Sequence, residues 1–229
     1  NNDAVLAING EIYNHLDLKK DFKNKYKFKT DSDCEIILAL YKDSDISFIE
    51  KLNGIFAFAL YDIKNNEYLI ARDHIGIVPL YMGWGEKGTF YVASELKALD
   101  EYCVKIEIFP PGHYYSSKEG CLKMWYHRKW DQSNSLENEE KIIRKLKKSL
   151  EQSVKQQLMT DVPYGVLLSG GLDSSIIAAV AKKYSKKRVE TNNSLDAWWP
   201  KLHSFAIGLK GSPDLFAAKI VAKHIDSVH

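Results

Sequence analysis

Long apolar runs are missing from this 229-residue sequence. No stretch approaches the roughly 20 residues that a membrane helix needs, and no charged-then-apolar segment of the secretory kind stands at its start. Cysteine is scarce. Cys34, Cys103 and Cys121 lie far apart, odd in number and without a CxxC pair, which argues against a disulfide framework and for a reduced cytoplasmic protein with free thiols. Excess charge of one sign is also lacking. With 32 basic and 30 acidic residues the formal charge is +2, so nothing points to nucleic acid as a partner. His74, His113 and His203 are scattered and suggest no metal cluster; no internal repeat or low-complexity tract is present. The chain opens NNDAVLAINGEIYNH, without an initiator methionine and almost directly on a strand pattern, and reads as a piece of a longer polypeptide cut at both ends.

What is present is the composition of a soluble globular protein, 45% hydrophobic and 27% charged, in a chain long enough for two domains. From Ala4 to about Tyr126 short strand patterns recur: VLAI, NGIFAFALYD, NEYLIARD, TFYVASE and GHYYSS, with FAFALYD and NEYLIARD forming a hairpin around Lys64-Asn65-Asn66. Two helices interrupt them, near Leu16–Lys23 and Ser32–Lys42; in the second, Cys34, Ile37, Leu38 and Tyr41 share a face, which makes Cys34 a buried, inert thiol. After Lys129 the style changes to a polar connector, DQSNSLENEE, and a long helix with Ile142, Leu146, Leu150, Val154 and Leu158 on one side and a solvated, lysine-rich remainder. Then follow strand VPYGVLL, helix SSIIAAVAKKYSKK, the polar segment RVETNNSLD, strand LHSFAIGL and a last helix with Ile220, Val221 and Ile225 on one side. This βαβα order predicts a parallel sheet covered by helices.

The stretch VPYGVLLSGGLDSSIIAAV puts two glycines, three serines and one acid between a buried strand and a helix. At that junction backbone N–H groups converge without intrahelical partners and the helix dipole favours an anion. Gly170 and Gly171 let the main chain curl closely, and Ser169, Ser174 and Ser175 add donors. Asp173 would repel bound phosphates unless a cation such as Mg²⁺ lay between them, so the loop suits a metal-complexed polyphosphate. It is not a Walker A loop, because no lysine lies between Val162 and Ala181. An ordinary capped turn would explain one hydroxyl and one glycine, not the whole set.

SGGLDSS after an apolar strand resembles the pyrophosphate-binding signature of the ATP pyrophosphatases. Its context, MTDVPYGVLLSGGLDSSIIAA with AWWPKLHSFAIGLKGSPDL downstream, is similar to the glutamine-dependent asparagine synthetases. AINGEIYNH, TDSDCEIILALY, LNGIFAFALYD, ARDHIGIVPLYMG and YVASELKAL resemble the class II glutamine amidotransferase domain of the same family, so the resemblance covers essentially the whole chain in order. It implies an α+β N-terminal nucleophile (Ntn) hydrolase αββα domain over residues 1–128 and an α/β parallel-sheet ATP-pyrophosphatase domain (adenine nucleotide alpha hydrolase-like) over 129–229, both incomplete.

In the first domain the resemblance implies that Asn9 and Gly10 form an oxyanion hole and that Asn9, Gly10, Glu11 and Asp33 bind glutamine. Glu11 and Asp33 would hold its charged end. A thiolate attacks the amide and ammonia leaves. Read alone, Asn9-Gly10 is the dipeptide of a type I′ turn. The family's nucleophile is an N-terminal cysteine; Asn1 does not match it, nor do Cys34, Cys103 and Cys121, and the carboxylate-binding arginine is expected upstream. Arg72-Asp73 is a structural part of the RDxxGxxPLY signature, without a catalytic role.

In the second domain Ser169, Gly170, Gly171, Ser174 and Ser175 would cradle pyrophosphate with Asp173 on Mg²⁺, and Leu167 and Ile207 would flank the adenosine of ATP. Aspartate would attack the α-phosphorus to give β-aspartyl-AMP, which ammonia converts to asparagine. Trp198-Trp199-Pro200 reads as loop packing. The implied partners are glutamine, aspartate and ATP in the cytoplasm, with a homodimer left open; the 229-residue chain alone is expected to be inactive. A β-lactam synthetase-like adenylating enzyme and a non-catalytic interaction module are the alternatives.

Overall fold

The computed structural model describes residues 3–128, 138–160, 162–189, 195–197 and 201–229. Asn1, residues 131–137 of the polar connector, residues 190–194 and Trp198-Trp199-Pro200 lie outside them. The chain divides into two compact units, Asn1–Ser133 and Asn134–His229.

In the first unit, in chain order, lie β1 (Ala4–Ile12), α1 (His15–Lys20), a 3-10 turn Asp33–Glu35, α2 (Ile36–Asp43), a second 3-10 turn Ile46–Lys51, β2 (Gly54–Asp62), β3 (Glu67–Arg72), β4 (Tyr81–Trp84), β5 (Phe90–Ala93), β6 (Lys105–Ile108), β7 (His113–Ser116) and β8 (Cys121–Met124). Five of the strands form one sheet in the order β1-β2-β3-β7-β8, and three form another in the order β5-β4-β6; all pairings are antiparallel.

Alternation along β2 explains the layering. Phe56, Phe58 and Leu60 point to one face and pack with Ile12, Ile36, Ile37, Leu40, Phe48 and Ile49, the helical side. Ala57, one step out of phase, joins Ile70, Val78, Leu80, Met82 and Phe109 in a second core against the small sheet. Helices, large sheet and small sheet thus give three of the layers of an αββα sandwich.

One reading of the sequence is corrected here and another is met. Asn9-Gly10 is no turn: β1 runs through it, with Gly10 opposite Phe56 and Ile12 opposite Gly54. Glycine is needed because a Cβ on Gly10 would stand 2.1 Å from the Ile55 carbonyl oxygen, and one on Gly54 the same distance from that of Glu11. The hairpin between β2 and β3 does form, with Asp62 paired to Glu67 and Asn66 at positive φ in the turn.

The segment after β3 is built on two buried charges. Asp73 is 1% exposed, and its carboxylate accepts from the amides of Ile75 (3.0 Å), Gly76 (2.6 Å), Ile77 (3.3 Å), Val78 (3.4 Å) and Phe56 (3.3 Å). The Arg72 guanidinium donates to the carbonyls of Val78 (2.8 Å), Phe109 (2.6 Å) and Gly76 (2.8 Å). Arg72-Asp73 is therefore internal.

The second unit contains α3 (Glu139–Gln157), β9 (Gly165–Leu167), α4 (Leu172–Tyr184), β10 (His203–Phe205) and α5 (Pro213–His224). β9 and β10 pair in parallel, Leu167 opposite Phe205, as a βαβ order requires. The apolar stripe of α3 is only half used: Val154 is buried, whereas Ile142 and Leu146 are 47% and 67% exposed. On α5 the inward face is Ala218 and Ala222, continued by Ile225, while Ile220 points outward, because the loop after β9 presses on the helix and leaves room only for small side chains.

Replacing Asp73 by Asn keeps the shape but gives up the charge that five amides share. We expect a loss of about 3 kcal/mol in the unfolding free energy of the first unit, measured by urea denaturation. A change within about 0.5 kcal/mol, the range of ordinary surface substitutions, would show that the carboxylate does not organise the loop.

Candidate functional sites

The first site lies on the outer edge of β1. Asn9 and Glu11 alternate onto the same exposed face of the strand, opposite the helical core. Asp33 approaches from the 3-10 turn, and its Oδ2 accepts from the Ile12 amide at 2.5 Å. Because Ile12 turns its N–H to that outer edge, Gly10, two residues earlier, presents its own N–H and C=O there as well. The Cys34 thiol donates to the Gly10 carbonyl at 3.5 Å.

Asn9, Gly10 and Glu11 thus share one short stretch of β1, and Asp33 reaches its edge at Ile12 from the 3-10 turn. Its electrostatics are negative: burial first, then the charges of Glu11, Asp73 and Asp33, push the Tyr13 hydroxyl up to about 12. Tyr13 and the Cys34–Gly10 contact are features the sequence did not reveal, since the contact spans 24 positions without a periodic signal.

Cys34 cannot serve here as a thiolate. Burial, followed by the Asp33 charge, pushes its thiol up to about 12, as expected of an inert core cysteine. Cys121 is exposed and Cys103 half-buried, the latter against Gly83 of β4. A cleft of about 1110 Å³ lined by Asp3, Tyr41, Lys42, Asp62, Tyr114 and Trp125, among others, lies toward the opposite end of β1 and includes none of the site residues.

The second site joins β9 to α4. Gly170 has φ +83°, and a Cβ there would stand 2.5 Å from the Ala218 nitrogen of α5, so only glycine lets the loop approach so closely. Gly171 caps α4 without any side-chain cap, which leaves the first-turn amides open to an external anion. Around it, the hydroxyls of Ser169 and Ser174 are 2.9 Å apart, and Ser174 (3.2 Å) and Ser175 (2.6 Å) donate to the Gly171 carbonyl.

Asp173 stands exposed in the first turn of α4, with no hydrogen bond or ion pair among the described residues. One carboxylate is a poor cage for a metal by itself, and no group of three or more His, Cys, Asp or Glu that could hold an ion occurs among the described residues. The donor set fits Mg²⁺ only as part of a phosphate complex, where phosphate oxygens complete the ligands. Leu167 ends β9, 84% exposed, and Ile207 lies two residues beyond Phe205, fully exposed; both sit at the carboxyl end of the parallel pair, where ligands bind in open α/β sheets.

Comparison with known proteins agrees with both halves. Residues 1–101 match the family model described as glutamine amidotransferase domain, and residues 145–229 match that described as asparagine synthase. By class, the chain is thus similar to a glutamine amidotransferase domain followed by an asparagine synthase domain.

It is homologous in particular to the glutamine-hydrolysing asparagine synthetases. Asparagine synthetase B of Escherichia coli is 55% identical over 225 residues, 98% of this chain and 41% of the relative. A probable asparagine synthetase of Dictyostelium discoideum is 48% identical over 231 residues (98% and 42%), and asparagine synthetase 1 of Arabidopsis thaliana 46% over 227 (98% and 38%). The chain therefore spans about two fifths of the length of these relatives. No described helix is long and apolar enough to cross a membrane.

The burial contrast is directly testable. Iodoacetamide added to the native 229-residue chain at mildly alkaline pH should label Cys121 rapidly and leave Cys34 unmodified until denaturant is added, as read by peptide mass spectrometry. Equal labelling of the two under native conditions would contradict the enclosed, protonated state of Cys34.

Proposed function

We propose that the chain forms part of a glutamine-dependent asparagine synthetase, in which the first unit takes part in glutamine hydrolysis and the second in ATP-dependent activation of aspartate. The single observation supporting this reading is that Asp33 reaches the Ile12 amide from a 3-10 turn beside Asn9, Gly10 and Glu11 of β1, while Ser169–Ser175 form a strand-to-helix loop with no side-chain cap. The homologues' names point the same way. The substrates are glutamine, aspartate and ATP, and the free thiols fit the cytoplasm.

In the first unit the Gly10 N–H and the Asn9 side-chain amide donate to the oxyanion of the tetrahedral intermediate, where charge develops only during reaction. Glu11 and Asp33 orient the glutamine ammonium, and the local negative potential inferred at Tyr13 favours that cation. The attacking thiolate is not one of the three cysteines of this chain, because Cys34 is held protonated and Cys103 and Cys121 belong to other elements.

In the second unit the first-turn amides of α4 and the three serines hold the β- and γ-phosphates, with Asp173 beside them. Mg²⁺, when bound with the nucleotide, would neutralise the charge that leaves with pyrophosphate. Leu167 and Ile207 offer apolar flanks for the adenosine. The serine hydroxyls already satisfy one another, so the loop is preorganised and an anion exchanges partners rather than ordering the turn.

The two chemistries are separable in the full-length natural protein. Asn9→Ala should lower kcat for glutamine hydrolysis by about 10² to 10³ while synthesis from free ammonia stays near the parental rate. Asp173→Ala should do the reverse, abolishing pyrophosphate release and ammonia-dependent synthesis while glutamine hydrolysis persists. Equal losses in both activities for either variant would mean a folding defect and remove the assignment.

The 229-residue chain by itself should release no glutamate from glutamine above a heat-inactivated control. Measurable release would show that one of its own cysteines acts as the nucleophile.

A further inference from the structure

We infer that Cys34 is a positioning residue of the oxyanion site, its thiol holding the Gly10 peptide in place of a neighbouring strand. The inference rests on the proposed glutaminase site and extends it to a side chain given no role there.

Among the described residues β1 is the edge of its sheet, paired only with β2. Its outward groups would ordinarily bond to a further strand, whose residue would donate N–H to the Gly10 carbonyl and accept from the Ile12 amide. Two consecutive side chains of the 3-10 turn replace that residue. The Cys34 thiol donates to Gly10 O at 3.5 Å and the Asp33 carboxylate accepts from Ile12 N at 2.5 Å. Together they form one rung of a ladder made of side chains, and the next outward donor, the Gly10 N–H, is left facing the site.

The platform carrying them is itself fixed. Ser32 Oγ accepts from the Cys34 amide at 3.2 Å, and the Glu35 carboxylate accepts from the amides of Lys29 (2.8 Å) and Thr30 (2.7 Å) and from the Thr30 hydroxyl (2.6 Å). Gly10 needs such an external hold. It has no side chain to anchor it, and its φ of +148° is open to glycine alone, whose backbone is the freest of any residue. Burial favours the protonated thiol, so the proton needed for this weak hydrogen bond is retained.

The test uses the full-length natural protein with Cys34→Ala, Cys34→Val and Cys34→Ser. Loss of the donor in the Ala and Val variants should lower kcat for glutamine hydrolysis by about 3- to 10-fold, the range of one hydrogen bond. KM for glutamine and ammonia-dependent synthesis should stay within about two-fold, because the bond matters chiefly to the transition state. Serine, which keeps a donor, should recover most of the rate.

Unchanged kcat in the Ala variant overturns the role. So does a Ser variant as slow as Ala, which would mean packing rather than donation, and so does an equal fall in ammonia-dependent synthesis. A parental enzyme without glutaminase activity would instead remove the underlying site reading and the proposal with it, an outcome distinguishable from indifferent variants in an active parent.

Discussion

The Asp73 carboxylate is the point on which the first unit turns. Five amides converge on it, four from the segment that follows and one from Phe56 of β2. A buried charge without partners would cost several kcal/mol; one surrounded by oriented N–H groups becomes a junction. Arg72 faces the other way and fastens the same segment through Gly76, Val78 and Phe109, so that the small sheet docks where the large one can receive it. The Trp125 indole closes the arrangement by donating to the Arg72 carbonyl. Phe56 lies directly opposite Gly10, which places this junction one strand away from the proposed oxyanion donors.

The fold was legible where period and burial agree. The alternation in GIFAFALYD and the turn chemistry of Asn65-Asn66 define the β2–β3 hairpin, and the βαβ order implies the parallel pair. Legibility failed where a local signal opposed a tertiary one. Asn9-Gly10 carries turn chemistry, yet the glycine serves close strand approach. Of the α5 stripe Ile220, Val221 and Ile225, the last two do pack on the core, but Ile220 points outward and Ala218 and Ala222 complete the inner face, because the neighbour is a backbone loop that no periodicity reveals. The α3 stripe shows the converse case: Ile142 and Leu146 have the spacing of a core face and remain exposed within their unit.

The candidate sites divide in the same way. The anion loop could be read from SGGLDSS alone, since donor type and the strand-to-helix junction are both local. The proposed glutamine site could not: Asp33 and Cys34 lie far from β1 in sequence and reach Ile12 and Gly10 only because a 3-10 turn lies against the strand edge. Asp33 and Cys34, consecutive in that turn, bond to the Ile12 amide and the Gly10 carbonyl of the strand. A sheet edge, usually a hazard for association, is here occupied by side chains.

The contact between Gly170 and α5 carries an evolutionary consequence. Any side chain at 170 would drive a carbon into the α5 backbone at Ala217–Ala218, so that position cannot drift unless the helix moves with it. The three residues form an epistatic set, neutral to change only together. Variation in the loop is accordingly channelled to Ser169, Ser174 and Ser175, whose hydroxyls contact one another and the Gly171 carbonyl rather than the neighbouring helix.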